Sequence, residues 1–388
     1  MDFTIPDELD ALRKSYGSFL DREVRPVEES LRDELTALEP DTRRIWDAVG
    51  ALRRRSAEEG FYACYLPEEV GGWGVSTLGI TLLVEDAARS GLRLAPLTLG
   101  VPNPSGPNPI LLQLQEHLRP TYLDPVVRAE QTMCFALTEP EAGSDAQSIR
   151  TSARRDGDDW VIDGMKHYIT NGDKADFAVV FAVTDKAKRA DGGITAFVVP
   201  KDQYRVGKVQ ATMADAHPAE LWFDAARVPA DHVIGEVGRG FQAAMGFLNA
   251  GRAGFAAQSL GLAEFCVEQA VAHAKVRTAF GRPLATNQGV TFPLAESRAE
   301  IEAMRWLTYH LAWAVDQGLN PMVDSSIAKY YCTERAYAVA DRCLQVFGGM
   351  GLLREGPIER VLRQLRVLRV VEGASEIQQL VIARSMGL

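Results

Sequence analysis

The spacing of apolar residues changes twice along this 388-residue chain, and these changes constrain its fold more than any other feature. Up to about residue 130, apolar residues such as Leu12, Tyr16 and Phe19 recur at helical spacing. From about 131 to 235, short apolar runs alternate with Asp-Gly and Asn-Gly turns, which is typical of an antiparallel sheet. From Gly238 onward the helical spacing returns. The sequence therefore predicts an α+β fold with an N-terminal helical domain (1–130), a central antiparallel β domain (131–235) and a C-terminal helical bundle (236–388).

The same patterns predict individual elements of secondary structure. The expected strands are Met133–Leu137, Trp160–Ile162, Phe177–Val183, Thr195–Val199 and Leu221–Phe223. The expected C-terminal helices cover 241–275, 289–317, 322–347, 357–368 and 374–386. Four prolines at positions 102, 104, 107 and 109 predict an extended or turn-like segment, because each ring removes a backbone donor.

Composition excludes several functional classes. The net charge of −10 argues against nucleic acid as the main partner. The longest strictly apolar run, Phe177–Val183, is far shorter than a membrane helix needs, and the acidic N-terminal segment lacks the features of a leader, so we expect a cytoplasmic protein. Five scattered cysteines favour buried thiols over a disulfide framework, and no histidine pair has the spacing of a metal site on one helix.

Two short segments contain residues suited to ligand binding or to catalysis. The turn Thr138–Asp145 offers hydroxyls and a glycine that exposes backbone N–H groups, although it is equally compatible with an ordinary turn. Glu372 follows two valines, and desolvation beside apolar groups raises the pKa of a carboxyl and suits it to act as a base. The alternative is an acidic residue at a helix start, with Ser375 as the N-cap. Glu376 makes a paired-carboxylate hydrolase conceivable, but the flanking pattern gives it no support.

A third motif, Gly238-Arg-Gly240-Phe-Gln-Ala243, has the glycine spacing of a dinucleotide-binding loop. Helical periodicity continues from it to about residue 276, with no second strand. We therefore expect these glycines to shape the turn into a long helix.

Several short sequence motifs resemble those of the acyl-CoA dehydrogenase family. Phe135–Asp145 resembles the first signature of that family, and Val371–Gln378 resembles its catalytic segment. Four further segments follow in family order: Lys166–Asn171, Val228-Pro229 with Gly235–Phe241, Arg277–Gly281 with Gln288, and Gln345–Gly349. Together the motifs cover most of residues 133–388. The N-terminal region matches only in its helical spacing of apolar residues.

The resemblance implies a fold, a cofactor and a reaction. Family members bind FAD, are usually dimers of dimers, and remove hydrogens from Cα and Cβ of an acyl thioester, as in the conversion of acyl-CoA to trans-2-enoyl-CoA. A carboxylate takes the α proton while the β hydrogen leaves as hydride to flavin N5, and an electron-transfer flavoprotein usually accepts the electrons. The resemblance places this base at Glu372. The other position used in the family corresponds here to Gly251, which cannot accept a proton.

The resemblance also implies binding residues. The expected flavin contacts are Phe135, Thr138, Gly143, Ser144, Tyr168, Thr170, Arg277, Phe280, Gln288, Gln345, Gly348, Gly349, Ala374 and Glu376. The expected thioester contacts are Ser144, Asn249, Arg252 and Gly373. Tyr168 stands where many members have tryptophan, and Ala374 where many have threonine. No metal is expected.

Three other functions stay open at this point. One is oxygen chemistry by a flavin oxidase or monooxygenase of the same fold, and Glu372 argues against it because nitroalkane-type oxidases carry aspartate there. Another is dehydrogenation of an acyl group bound to a carrier protein, because Asn249 departs from an acid found in some members. The last is a non-catalytic thioester-binding protein. The acyl chain length is not readable from Leu94–Leu112, the expected pocket wall.

Overall fold

The computed structural model describes residues 4–102, 106–319 and 321–388, without the side chains of Phe247, Asn249 and Ala250. The chain divides into two compact units. The first unit contains the residues up to Arg55, Val75–Leu99 and Ala250–Leu388, and the second contains Ser56–Gly74 and Gly100–Asn249. The three-domain division of the sequence stays a prediction. Pro104, in the proline-rich segment, lies outside the described residues.

Twelve α-helices occur in the described part of the chain. They are α1 (Asp7–Phe19), α2 (Arg25–Ser30), α3 (Arg32–Thr36), α4 (Thr42–Glu58), α5 (Thr77–Arg89), α6 (Arg119–Tyr122), α7 (Asp124–Val127), α8 (Gly240–Val276), α9 (Gln288–Asp316), α10 (Met322–Phe347), α11 (Glu359–Leu368) and α12 (Ser375–Ser385). A π-helical turn, Leu20–Val24, joins α1 to α2. The five helices predicted after residue 240 are confirmed within two residues at each end, and α8 begins at Gly240, in the glycine motif, as predicted.

The first unit is built around a helical core. Its buried residues come mainly from α8 to α11 and include Leu260, Ile301 and Leu365. The side of α8 that lies in this core is rich in alanine, which allows neighbouring helices to approach closely. One such close approach is at Gly261, where an added Cβ would lie 2.3 Å from the carbonyl oxygen of Glu85 on α5.

The second unit is built around a sheet. Its strands are β1 (Met133–Ala136), β2 (Ser152–Asp156), β3 (Asp159–Ile169), β4 (Phe177–Val183), β5 (Ile194–Pro200), β6 (Arg205–Val209), β7 (Ala219–Pro229) and β8 (Val233–Ile234). They lie in the order β6-β7-β3-β2-β4-β5-β8, and β1 pairs with β4. A separate two-stranded hairpin, β9 (Thr278–Ala279) and β10 (Arg282–Pro283), belongs to the first unit.

The sheet is antiparallel as predicted, with two local exceptions. β1 runs parallel to β4 over four residue pairs, and β2 meets β4 in parallel at the pair Ser152–Val183. β4 is buried on both faces, with Phe177 and Phe181 in one core and Val180 in the other. β2 and β6 were missed, because the sequence SARRD and the sequence RVGKV contain no apolar run. β3 and β7 are longer than predicted, since their polar ends still pair with each other.

All five cysteines are buried and form no disulfides, which confirms the prediction of buried thiols. Cys64 and Cys134 lie in the second unit, whereas Cys266, Cys332 and Cys343 lie in the first. Burial raises the pKa of each of these thiols. In the described ranges, no helix combines the length and the apolar character that crossing a membrane requires.

Candidate active site

Glu372 lies in the short loop that joins α11 to α12 in the first unit. Its backbone is left-handed, with φ of +57°, and the following Gly373 has φ of +87°. Such a conformation is costly for glutamate and persists only where neighbouring contacts hold it. The N–H of Ser375 closes the loop by donating to the carbonyl of Arg369 at 3.1 Å. The loop therefore presents the Glu372 carboxyl from a constrained backbone.

The Glu372 carboxyl is half-buried, and its Oε2 atom is buried without a hydrogen-bond partner. Desolvation raises the pKa of this carboxyl to about 7, although the positive charges of Arg252 and Lys329 oppose the rise. A carboxyl with a pKa near 7 exchanges a proton readily at neutral pH. The geometry and the electrostatics both suit a general base. The alternative N-cap does not form, because α12 begins at Ser375 itself and its N-cap residue is Ala374.

Arg252 lies on α8 within the same unit and is only 7% exposed. Its guanidinium lies within 3.5 Å of the hydroxyls of Ser325 and Ser326 at the start of α10. One guanidinium nitrogen is 3.7 Å from the position that a Cβ on Gly373 would occupy. The structure thus brings together Arg252, Gly373 and Glu372 of the predicted set. The side chain of Asn249 lies outside the described part of the chain.

The loop after β1 contains the predicted residues Thr138, Gly143 and Ser144. A buried ion pair anchors it: Lys166 on β3 donates to Glu139 at 2.8 Å and to the carbonyl of Leu137 at 2.9 Å. The N–H groups of Arg150 and Thr151 also donate to Glu139. Gly143 and Ser144 remain exposed, and nothing lies within 4 Å of a Cβ built on Gly143. The anchor therefore leaves the tip of the loop open to a ligand.

Tyr168 and Thr170 lie at the end of β3, in the same unit as this loop. The N–H of His167 donates to the carbonyl of Thr138 at 2.8 Å, which joins the strand end to the loop. Tyr168 has a φ of +57° and is 59% exposed, and its ring centroid is 4.0 Å from that of His167. Phe135, on β1, is half-buried, with its ring centroid 4.8 Å from that of Phe181. The second unit thus brings the first group of predicted flavin contacts together.

The remaining predicted contacts are on the first unit and fall into three groups. Arg277, Phe280 and Gln288 surround the β9–β10 hairpin, and all three are exposed. Gln345, Gly348 and Gly349 are exposed at the C-terminal end of α10. Ala374 is half-buried and Glu376 is exposed at the start of α12. These groups do not contact one another through any described hydrogen bond.

Three polar residues near these loops have roles that the sequence motifs do not indicate. They are Lys166, Lys329 and Gln378, all of which are fully buried. The two lysines donate to backbone carbonyls of the loops that carry the predicted site residues, and Gln378 donates to the loop of Glu372. A lysine at an inward position of an apolar strand or helix is the sequence signal that identifies such an anchor. Among the residues described, no group of three or more potential ligands is arranged to hold a metal ion.

Comparisons with known proteins agree on one family. Three family models match in order: the acyl-CoA dehydrogenase N-terminal domain at 6–130, the middle domain at 134–225 and the C-terminal domain at 238–387. A 3-(aryl)acrylate reductase of Clostridium sporogenes is 35% identical over 390 residues, which cover 100% of both chains.

Two solved structures are similar over nearly the whole chain. The butyryl-CoA dehydrogenase of Megasphaera elsdenii has a TM-score of 0.87 and 32% identity, with 100% of each chain covered. The prolyl acyl carrier protein oxidase AnaB has a TM-score of 0.85 and 25% identity, covering 99% of this chain and 100% of its own. Since the three family models match most of the chain, it belongs to the acyl-CoA dehydrogenase family of flavin-dependent oxidoreductases.

Proposed function

We propose that this protein catalyses the FAD-dependent α,β-dehydrogenation of an acyl thioester, converting an acyl-CoA to a trans-2-enoyl-CoA, with Glu372 as the base. The observation that carries the proposal is the Glu372 carboxyl itself. It is held on a constrained backbone, has one oxygen buried without a hydrogen-bond partner, and has a pKa raised to about 7 by desolvation.

The role of Glu372 follows from these properties. Its unpartnered oxygen accepts the α proton of the substrate, and the neutral carboxyl that results is the form that burial favours. Near neutral pH about half of the carboxyls are ionised, so the base is available and its proton affinity remains high. The positive charge of Arg252 favours the ionised carboxylate, and its guanidinium offers hydrogen-bond donors to the thioester.

The residues present fit an FAD cofactor. The open loop tip at Gly143 and Ser144 offers backbone N–H groups and a hydroxyl, and the exposed ring of Tyr168 offers an apolar face. Arg277 supplies an exposed cation suited to a diphosphate, beside the fully exposed ring of Phe280. When bound, FAD supplies the acceptor for the β hydrogen.

The proposed contacts are those that the family resemblance implies. They are Phe135, Thr138, Gly143, Ser144, Tyr168 and Thr170 for the flavin ring; Arg277, Phe280 and Gln288 for the diphosphate and adenosine; Gln345, Gly348 and Gly349 for the flavin of a partner subunit; and Ala374 and Glu376 near the base. For the thioester they are Ser144, Asn249, Arg252 and Gly373.

The proposal extends to partners and location. The exposure of Gln345, Gly348 and Gly349 supports a homo-oligomer, a dimer or a tetramer, in which these residues reach a neighbouring subunit. An electron-transfer flavoprotein is the proposed electron acceptor. The five reduced, buried thiols support a cytoplasmic location.

An anaerobic titration with acyl-CoAs of increasing chain length, followed by visible absorbance, tests the proposal. We expect the flavin band to bleach with one class of chain length, and we expect Glu372→Gln to retain the flavin without bleaching. Glu69→Gln is the control, because Glu69 is exposed and is not among the proposed contacts. A Glu372→Gln variant that bleaches at the parent rate refutes the assignment of the base, and a colourless protein that takes up no FAD refutes the proposed function.

The structural match to a carrier-protein oxidase favours a second candidate, dehydrogenation of an acyl group on a carrier protein. A yellow protein that no acyl-CoA bleaches, but that an acylated carrier protein does bleach, supports this candidate. Rapid reoxidation of the bleached flavin by air distinguishes an oxidase from a dehydrogenase.

A further inference from the structure

Lys329 is a fully buried lysine in the second turn of α10, on the buried side of that helix. Its ammonium group donates to the carbonyl oxygen of Gly373 at 2.8 Å. Desolvation, reinforced by the nearby charge of Arg252, lowers the pKa of this lysine to about 8. Burying an ammonium group is costly, so a lysine that serves only to fill the core is poorly suited to this position.

The Gly373 carbonyl accepts a second hydrogen bond, from the amide of Gln378 on α12 at 2.8 Å. The same amide lies 3.3 Å from the carbonyl oxygen of Glu372. Gly373 has no space for a side chain, because an added Cβ would lie 2.6 Å from that amide nitrogen. Two helices therefore hold the backbone of the loop at the residue that follows Glu372.

The charges around Glu372 come from three helices. Arg252 on α8 and Lys329 on α10 both favour the ionised carboxylate. Lys329 in turn faces Glu372, Glu334 on its own helix and Glu376 on α12, which all favour the ammonium form. Lys329 binds the carbonyl of Gly373, which is the residue next to Glu372. Its positive charge therefore lies close to the proposed base.

We propose that Lys329 is a positioning residue for Glu372: it holds the carbonyl of Gly373 and keeps a positive charge beside the carboxylate. The first role fixes the direction of the carboxyl, and the second favours its ionised form. The link to catalysis rests on the proposed function, whereas the two physical roles do not.

Lys329→Met removes the charge at nearly constant volume, and Gln378 still satisfies the Gly373 carbonyl. The rate of anaerobic bleaching by an acyl-CoA, measured against pH, is the first readout. We expect the midpoint of the rise in rate to move upward by about one pH unit, so the rate at pH 6 falls about tenfold. Lys329→Gln, which keeps a donor but no charge, is expected to show the same upward shift.

Gln378→Leu is the matched control, because it removes the other donor to Gly373 and changes no charge. We expect a lower plateau in the rate and an unchanged midpoint. If the midpoint of Lys329→Met equals that of the parent, the electrostatic role is refuted. If the plateau of its rate also equals that of the parent, the positioning role is refuted as well. A lysine with a structural role alone would lower the melting temperature and leave both quantities unchanged.

A second readout is independent of activity. The difference in stability between a chain with Glu372 and one with Glu372→Gln, followed against pH, reports the titration of this carboxyl. In the Lys329→Met background we expect that titration about one pH unit higher, whether or not any acyl thioester bleaches the flavin. If the parent bleaches with no thioester but the titration moves, the proposed function fails and the inference about Lys329 stands. If the titration does not move, the inference fails.

Discussion

The raised pKa of Glu372 predicts that the proposed base reduces the stability of the folded chain. The carboxyl has a pKa of about 7 in the folded state, against an ordinary value of 4.5. Between these values the folded state binds more protons than the unfolded state, so the free energy of unfolding falls as pH rises. One pH unit corresponds to about 1.4 kcal/mol, so the total loss from Glu372 is about 3 kcal/mol, complete above pH 7.

Glu372→Gln removes this loss, because glutamine does not ionise. Relative to the parent, we expect the variant to gain about 2 kcal/mol of unfolding free energy as pH rises from 5 to 7.5. Urea denaturation of both proteins at several pH values in this range, without added thioester, measures the difference. The variant is thus expected to be inactive and, at neutral pH, more stable.

The exposed glutamate Glu376 is a proposed cofactor contact, so the control for this experiment is made at Glu69, which is exposed and lies outside the proposed site. Glu69→Gln measures how much the loss of one exposed carboxyl changes the stability over the same pH range. A difference between Glu372→Gln and the parent that does not change with pH would show that the carboxyl is already ionised at pH 5. A pKa of about 7 for Glu372 would then be refuted.

Two further predictions concern contacts within each unit taken by itself. Glu139→Gln leaves the buried ammonium group of Lys166 without its anion, so we expect a loss of about 3–5 kcal/mol in urea denaturation. A variant of parent stability would contradict the anchoring role of that ion pair. Gly261→Ala places a Cβ 2.3 Å from the carbonyl oxygen of Glu85, so we expect about 1–3 kcal/mol of destabilisation by thermal denaturation. Gly246→Ala, in the same helix with nothing within 4 Å, is the control and is expected to be neutral or stabilising by up to about 1 kcal/mol.

Elements with a strong periodic pattern were predictable from the sequence. The long helices α8, α9 and α10, and the strand β4, agree with the predicted ranges within one or two residues. β2 and β6 were not, because their stability comes from pairing with neighbours and not from an apolar run. The parallel pairing of β1 with β4 depends on contacts between residues about 44 positions apart, which no local pattern records.

For the candidate site, the sequence located the loops but not what holds them. The motif around Glu372 identified the proposed base, yet its left-handed backbone and unpartnered oxygen required the structure. Lys329 is 43 residues before Glu372 in the sequence, and its hydrogen bond to Gly373 is visible only once α10 and the loop are packed together. The predicted roles of the flavin and thioester contacts stay predictions.

The five buried cysteines give the unmodified chain internal reporters of local opening. A thiol reagent reacts with the thiolate, so buried groups with raised pKa values react only when the surrounding structure opens. Two of these reporters lie in the sheet-based unit and three in the helical unit, so mass spectrometry of labelled peptides measures the two opening rates separately. A ligand that orders one unit would slow the labelling of that unit's cysteines. The labelling rates of the five thiols therefore show which unit the ligand orders.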